Sequence, residues 1–329
     1  MVLTLWIIIA YLCNSGNGLS TTPAKLETKA RPPPFSLLHR VDRFLDSLQN
    51  PEEQLRDHIY LFGNYAPVTK EYVQAQVTVV EGAIPRDIDG MFVRNGPNPV
   101  PHRLSKRYHW FDGHAMLHML RFENGDAWYS NQFVPCPRYL QEEERDEEVF
   151  PHIGEYLGFV GLIKVLMHPT MVRKKIPDLK TVLPPNTACL LYKDSFYCLN
   201  EGNLPFSCRI HADGRLEGLG FESFNDQLDF TVSAHPCIDR NGDLLFHSYT
   251  TNTDLIAEHG PIKVGRMDKT GKLVSYFGIK EMDYVSFAHS LTHSEDYMII
   301  FDTSVHFTTN GIIDGKFFKT QKNYNQWSH

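Results

Sequence analysis

Two histidines are the residues of this chain best suited to chemistry. His235 sits in Phe230-Thr231-Val232-Ser233-Ala234-His235-Pro236, and His289 in Ser286-Phe287-Ala288-His289-Ser290-Leu291. Each closes a short strand-like run and is followed by a turn- or loop-like residue, Pro236 or Ser290. Imidazole is a good ligand for several divalent transition metals, iron(II) among them. A metal-bound imidazole commonly hands its other N–H to a carboxylate, which fixes its tautomer. Glu201, in Asn200-Glu201-Gly202-Asn203-Leu204-Pro205, is a candidate for that task. Each residue also has a plainer reading. A lone histidine on a strand is more often a satisfied core residue, and a glutamate before glycine is more often a turn residue.

The remaining histidines are weaker candidates. His114 and His118 are four apart, a spacing that puts two imidazoles on one face of a helix. Here Asp112-Gly113 precedes them, and the residues after that dipeptide read as a strand. On a strand, positions four apart are roughly 13 Å apart, too far for one metal. His293, His306 and His329 lie nearer the C-terminus without a motif around them. No GxSxG, HExxH, phosphate-binding loop or dinucleotide fingerprint is present.

The elements that must position His235 and His289 read as β. From Val77 onward, short apolar or alternating runs recur between turn dipeptides: Asp89-Gly90, Asn95-Gly96, Asp112-Gly113, Asn124-Gly125, Asp213-Gly214, Asn241-Gly242, Thr270-Gly271 and Asp314-Gly315. Such dipeptides between strand-like runs signal hairpins. Many short strands imply a sandwich, barrel or propeller. Two segments interrupt the pattern. Residues 141–148 (QEEERDEE) read as a solvated loop or helix start. Residues 153–168 (IGEYLGFVGLIKVLMH) read as a helix with Tyr156, Phe159, Val160, Ile163, Leu166 and Met167 on one face. That helix is either part of the core or one that dips into a membrane. Residues 42–62 carry apolar residues near helical spacing and are expected to form a further helix.

Composition bounds the rest. A chain of 329 residues with 42% hydrophobic side chains can bury a sizeable core. Its net charge of −7 argues against a broad nucleic-acid surface, which needs clustered Lys and Arg. Met1 to Cys13 (MVLTLWIIIAYLC) is too short to span a bilayer comfortably but matches the apolar part of a signal peptide. The expectation is targeting to the secretory pathway or a plastid. Residues 1–20 would be the signal, and residues 21–54 a leader ending in a helix. The six cysteines show no CxxC, and Cys13 falls in the signal, so buried thiols are expected rather than disulfides or structural zinc.

Five blocks in order give a resemblance to the carotenoid cleavage oxygenases. They are Pro85 to Pro99, Tyr108 to His118, Asn186-Thr187-Ala188 through Phe206, Ser233-Ala234-His235-Pro236, and Ala288-His289-Ser290 with Ser294-Glu295-Asp296-Tyr297. Their order and spacing fit the family from about residue 55 to 305, leaving 306–329 as an unmatched tail. The resemblance implies an all-β fold, a seven-bladed β-propeller with helical insertions, with Fe(2+) on its axis held by four histidines. It implies a dioxygenase that splits a conjugated double bond of a carotenoid or apocarotenoid with dioxygen, giving two carbonyl products. His235 and His289 map onto iron ligands, and Glu201 onto a carboxylate that orients one of them; His109, His114 and His118 map onto none. Phe159, Val160, Ile163 and Leu166 fall where the family places apolar helices near the tunnel mouth, implying peripheral membrane contact. The chain stops before the family's third and fourth ligands, so the expectation is a truncated form with an incomplete propeller. The alternative is a non-catalytic propeller fragment that binds an apolar ligand, a membrane or a partner chain.

Overall fold

The computed structural model describes residues 37–249, 253–282, 288–302, 305–307 and 318–320. The targeting segment, most of the leader and most of the tail therefore lie outside the described residues. Two helices open the described chain, α1 (Leu37–Ser47) and α2 (Pro51–Arg56). The single helix expected over 42–62 is thus broken. Asn50 turns left-handed (φ 46°) immediately before Pro51, whose ring disfavours a helical residue ahead of it. Between Arg56 and Tyr72 the chain makes two single turns of 3₁₀-helix, Ile59–Leu61 and Gly63–Tyr65.

The first sheet contains β1 (Tyr72–Gln76), β2 (Gly90–Asn98), β3 (His114–Glu123) and β4 (Asp126–Phe133), in the order β1-β4-β3-β2. Asn124-Gly125 forms the tight β3–β4 turn with both φ positive (54° and 89°), as a two-residue hairpin requires. Three other expected turns are not hairpins. Gly90 starts β2, Asn95-Gly96 lies inside it, and Asp112-Gly113 leads into β3. Gly113 is needed for a close approach instead: a Cβ there would lie 2.5 Å from the Asn98 backbone nitrogen.

Helices α3 (Pro137–Arg145) and α4 (Gly158–Arg173) follow. The acidic run 141–148 is only partly solvated. Glu142 and Glu148 are buried; Glu142 caps the backbone N–H groups of Val149 and Phe150, and Glu148 that of Ser105. Two simple meanders come next. One is β5 (Ala188–Tyr192), β6 (Ser195–Leu199), β7 (Phe206–Ile210) and β8 (Leu216–Phe221). The other is β9 (Cys237–Ile238), β10 (Leu244–Tyr249), β11 (Ile262–Met267) and β12 (Leu273–Ile279), with α5 (Thr253–His259) between β10 and β11. Two hairpins complete the described chain: β13 (Leu291–His293) with β14 (Met298–Ile300), and β15 (Val305–Phe307) with β16 (Phe318–Thr320).

The sheets meet in chain order through apolar layers. Ala115, Leu117 and Met119 of the first sheet pack with Cys198, Phe206 and Cys208 of the second. Tyr197 and Leu199 of the second pack with Leu244, Phe246 and Met267 of the third. Ile262 and Ile279 of the third pack with Ala288 and Ile300. These layers carry the stability of the β region, since apolar burial is the main favourable contribution to folding.

Candidate metal centre

Three remote segments bring Glu201, His235 and His289 together. Glu201 lies in the turn after β6, His235 in the link before β9, and His289 in irregular chain just before β13. Oε1 of Glu201 is 2.8 Å from Nδ1 of His289 and 3.8 Å from Nε2 of His235. The two imidazole centroids are 4.3 Å apart. One ligand-capable atom from each of the three residues falls within 4.8 Å of the other two. Two imidazoles at this separation, with a carboxylate beside one of them, suit a divalent transition metal.

Each segment is tied down by its own hydrogen bonds. The Asn200 side chain accepts from the Gly202 N–H (2.9 Å) and donates to Asn186 Oδ1 (3.1 Å). Asn186 in turn donates to the carbonyls of Phe111 (3.0 Å) and Gly113 (2.6 Å), anchoring the Glu201 turn to the approach to β3. Gly202 packs closely against Leu183: a Cβ would lie 2.7 Å from its Cδ1, so the leucine side chain would have to shift. An isolated bridge, Asn203 to Val232, sets this turn beside the His235 segment. Oε2 of Glu201 then accepts from Ser233 Oγ and the Ala234 N–H, both at 3.2 Å.

His247 joins the two histidine-bearing segments. Its carbonyl accepts from Ser233 N (2.9 Å), and its Nε2 donates to the Ala288 carbonyl (2.6 Å). A carbonyl can only accept, so Nε2 carries the proton. His247 was not singled out from the sequence, where it is one more histidine in the strand Asp243 to Tyr249. Only the cross-sheet contact reveals its part.

Burial disfavours charge at this site. His235 is shifted below the ordinary histidine value by burial and by His289 beside it, which favours the neutral imidazole a metal needs. His247 is lowered mainly by burial. Burial raises Glu201, opposed by the Ala234 N–H, His289 and Ser233.

The other histidines do not join the cluster. His114 pairs with Glu142 (3.0 Å), and His118 with the Tyr129 hydroxyl (2.7 Å). His109 caps a 3₁₀ turn, and His293 contacts the Ser294 carbonyl. Nothing is described of the His306 side chain, and His329 lies outside the described residues. A groove of about 610 Å³ opens between the third sheet and β13–β14, but its lining includes neither His235 nor His289.

The helix expected over 153–168 runs as α4 over Gly158–Arg173, after a 3₁₀ turn at Ile153–Glu155. Its apolar face points outward. Phe159 is 74% and Leu166 76% exposed, with Val160 and Ile163 half-buried. Its inner face carries Lys164 and His168, both buried. The core reading of this helix therefore fails for Phe159 and Leu166. Helix α1 packs against α4 and is inverted in the same way. Leu37, Val41, Phe44 and Leu48 form an exposed stripe, while His39, Asp42 and Asp46 are buried.

Between the helices sits an ion cluster. Lys164 donates to Asp46 and Glu155, Lys106 to Asp42 (3.2 Å), and His168 Nε2 lies 2.7 Å from Asp42 Oδ1. Asp42, Glu155 and His168 are spaced closely enough to hold a metal. Two lysine ammonium groups already occupy the place of a cation among them. No helix among the described residues is long and apolar enough to cross a membrane.

Stacked four-stranded sheets with a His–His–Glu cluster in their connecting segments define the class. The family model described as retinal pigment epithelial membrane protein matches residues 65–329, and the chain belongs to that carotenoid oxygenase family. Among individual proteins, it is 31% identical over 261 residues to carotenoid 9,10(9',10')-cleavage dioxygenase 1 of Pisum sativum, covering 79% of this chain and 47% of that one. It is 35% identical over 188 residues to carotenoid 9,10(9',10')-cleavage dioxygenase of Crocus sativus, covering 57% of this chain and 34% of that one. Among solved structures, the lignostilbene dioxygenase of Pseudomonas brassicacearum superposes with a TM-score of 0.62 at 21% identity, over 80% of this chain and 51% of that one. The apocarotenoid oxygenase of Synechocystis gives 0.58 at 20% identity, over 78% and 52%. The chain spans about half the length of the first of these curated relatives and of both structures.

Proposed function

We propose that this chain carries part of the iron centre of a dioxygenase acting on a carotenoid or apocarotenoid. The observation that carries the reading is the convergence of Glu201, His235 and His289 from three separate segments. The successive four-stranded sheets support placing them among the blades of a seven-bladed propeller, with the metal where the connecting segments meet. His235 and His289 supply neutral nitrogen ligands. Bound iron(II) would supply the activation of dioxygen needed to split a conjugated double bond into two carbonyls.

Glu201 orients rather than ligates. Its Oε2 is held by Ser233 and Ala234, and its Oε1 faces Nδ1 of His289. That contact leaves the opposite ring nitrogen, Nε2, for the metal and fixes the tautomer that allows it. Glu201→Gln keeps the shape and removes the charge. We expect it to lower metal affinity or turnover by about 10–100-fold, the usual cost of losing such a partner. Cobalt(II) or iron(II) titration against the unaltered chain checks this, and unchanged affinity would remove Glu201 from the site.

Membrane contact is supported by the inverted helices. Phe159 and Leu166 of α4, and Leu37, Val41 and Phe44 of α1 with Leu48 just past its end, expose apolar surface while charges are buried behind them. Such surface binds the acyl boundary of a bilayer, where a carotenoid dissolves. Phe159→Asp with Ile163→Asp should release the protein from liposomes in a flotation assay without lowering its melting temperature. Retained flotation, or loss of folding, would return the helix to a purely structural role.

A further inference from the structure

Cys189, Cys198 and Cys208 lie on three adjacent strands and pack into one apolar layer between the first and second sheets. Cys189 and Cys198 are directly opposite in the β5–β6 hairpin. Its two-residue turn, Lys193-Asp194, has both φ positive (52° and 58°), so Tyr192 and Ser195 form the hydrogen-bonded closing pair. Pair types alternate from there, and Cys189:Cys198, three steps on, is a non-hydrogen-bonded pair. In such pairs the Cα atoms are about 4.5 Å apart, within the ~4.4–6.8 Å that a disulfide spans.

Cys208 is placed differently. Its partner across β6–β7 is Phe196, while that of Cys198 is Phe206, so the two cysteines are diagonal. Their sulfurs are 3.9 Å apart, a thiol contact. Diagonal Cα atoms lie about 7–8 Å apart, whereas beyond ~7 Å a disulfide needs backbone movement. Cys189 alone of the three reaches the surface in part.

We propose that Cys189 and Cys198 are an oxidisable dithiol that a small hydroperoxide, such as hydrogen peroxide, closes to a cross-strand disulfide. The Cys189 sulfur attacks one peroxide oxygen, the O–O bond breaks, and the products are Cys189 sulfenic acid and one water. The Cys198 sulfur then attacks the Cys189 sulfur. The S–S bond forms, the S–O bond breaks, and the departing hydroxide takes the Cys198 proton to give the second water. Two electrons pass from the two thiols to the peroxide, and Cys208 remains a thiol. The bond would staple the stem of the Glu201 turn, because Cys198 stands three residues before Glu201 and Cys189 three after Asn186. Burial, with the Cys189 and Cys208 thiols beside it, pushes Cys198 well above the ordinary thiol value. Its thiolate is scarce at neutral pH, so closure should accelerate as pH rises.

The test treats the folded 329-residue chain with hydrogen peroxide, blocks remaining thiols with N-ethylmaleimide in denaturant, and maps peptides by mass spectrometry. The expected product is a peptide pair joined through Cys189 and Cys198, lighter by two hydrogens and restored by dithiothreitol. Cys189→Ser should abolish the link, and Cys208→Ser should leave it intact. A Cys198–Cys208 link, or three thiols still fully alkylated after oxidation, would overturn the assignment.

Discussion

If the proposed dioxygenase reading holds, replacing His235 or His289 with alanine should abolish iron loading and turnover. Each substitution would delete one of the two proposed nitrogen ligands, so the loss should exceed the about 10–100-fold that removal of a supporting partner costs. Folding should be little affected, since side-chain exposure is 35% for His235 and 51% for His289, and neither fills a core layer. Metal analysis and assay of product aldehydes, beside a melting curve, check the result. Wild-type iron content and turnover in either variant would sink the assignment of these ligands.

Lys164→Met should be the most destabilising single change in the helical region. Lys164 is fully buried and donates to Asp46 and Glu155. Methionine fills much of the same volume but leaves two carboxylates short of a counter-charge. Breaking a buried ion pair from one side typically costs about 3–5 kcal/mol. Urea unfolding at neutral pH measures it, and a cost near zero would mean that Lys106 alone balances the cluster. Pairing Lys164→Met with Asp46→Leu should recover part of the loss.

The pH dependence of the wild type rests on the same residues. Burial raises Glu155, but Lys106 and Lys164 prevail and hold it at about 2, below its ordinary 4.5. Stability from this depressed carboxylate is fully present above pH 4.5 and is lost as pH falls toward 2. Asp46 runs the other way: burial lifts it to about 6 from 3.8. Its contribution is present below pH 3.8 and is lost as pH rises through 6. In Lys164→Met the loss between pH 4.5 and 2 should be smaller, because Glu155 is less strongly depressed.

Much of the candidate site was legible in the chain. His235, His289 and Glu201 were identifiable because each stands in a short block of recognisable residues. The tight turns at Asn124-Gly125 and Asp213-Gly214 were legible because positive φ, at both residues of the first and at Gly214 of the second, favours asparagine and glycine. Asn95-Gly96 misled because a dipeptide able to turn can also extend, and here β3 pairs along its whole length. The α1 stripe was missed because its residues straddle the boundary drawn between a leader and a helix starting at 42.

By itself, then, the sequence determined the β texture, the family, and which imidazoles and carboxylate are candidates for a metal. These depend on local periodicity and on short ordered motifs, which can be read along one dimension. Only the tertiary structure decided that Glu201 faces His289 at 2.8 Å, that His247 joins the two histidine-bearing segments, and that α1 and α4 bury charge and expose apolar surface. The physical reason is the same in each case. A hydrogen bond or ion pair between residues tens of positions apart leaves no periodic trace. The sign of a helix face is set by its neighbours: Lys164 and His168 are stable inside only because Asp42, Asp46 and Glu155 meet them there.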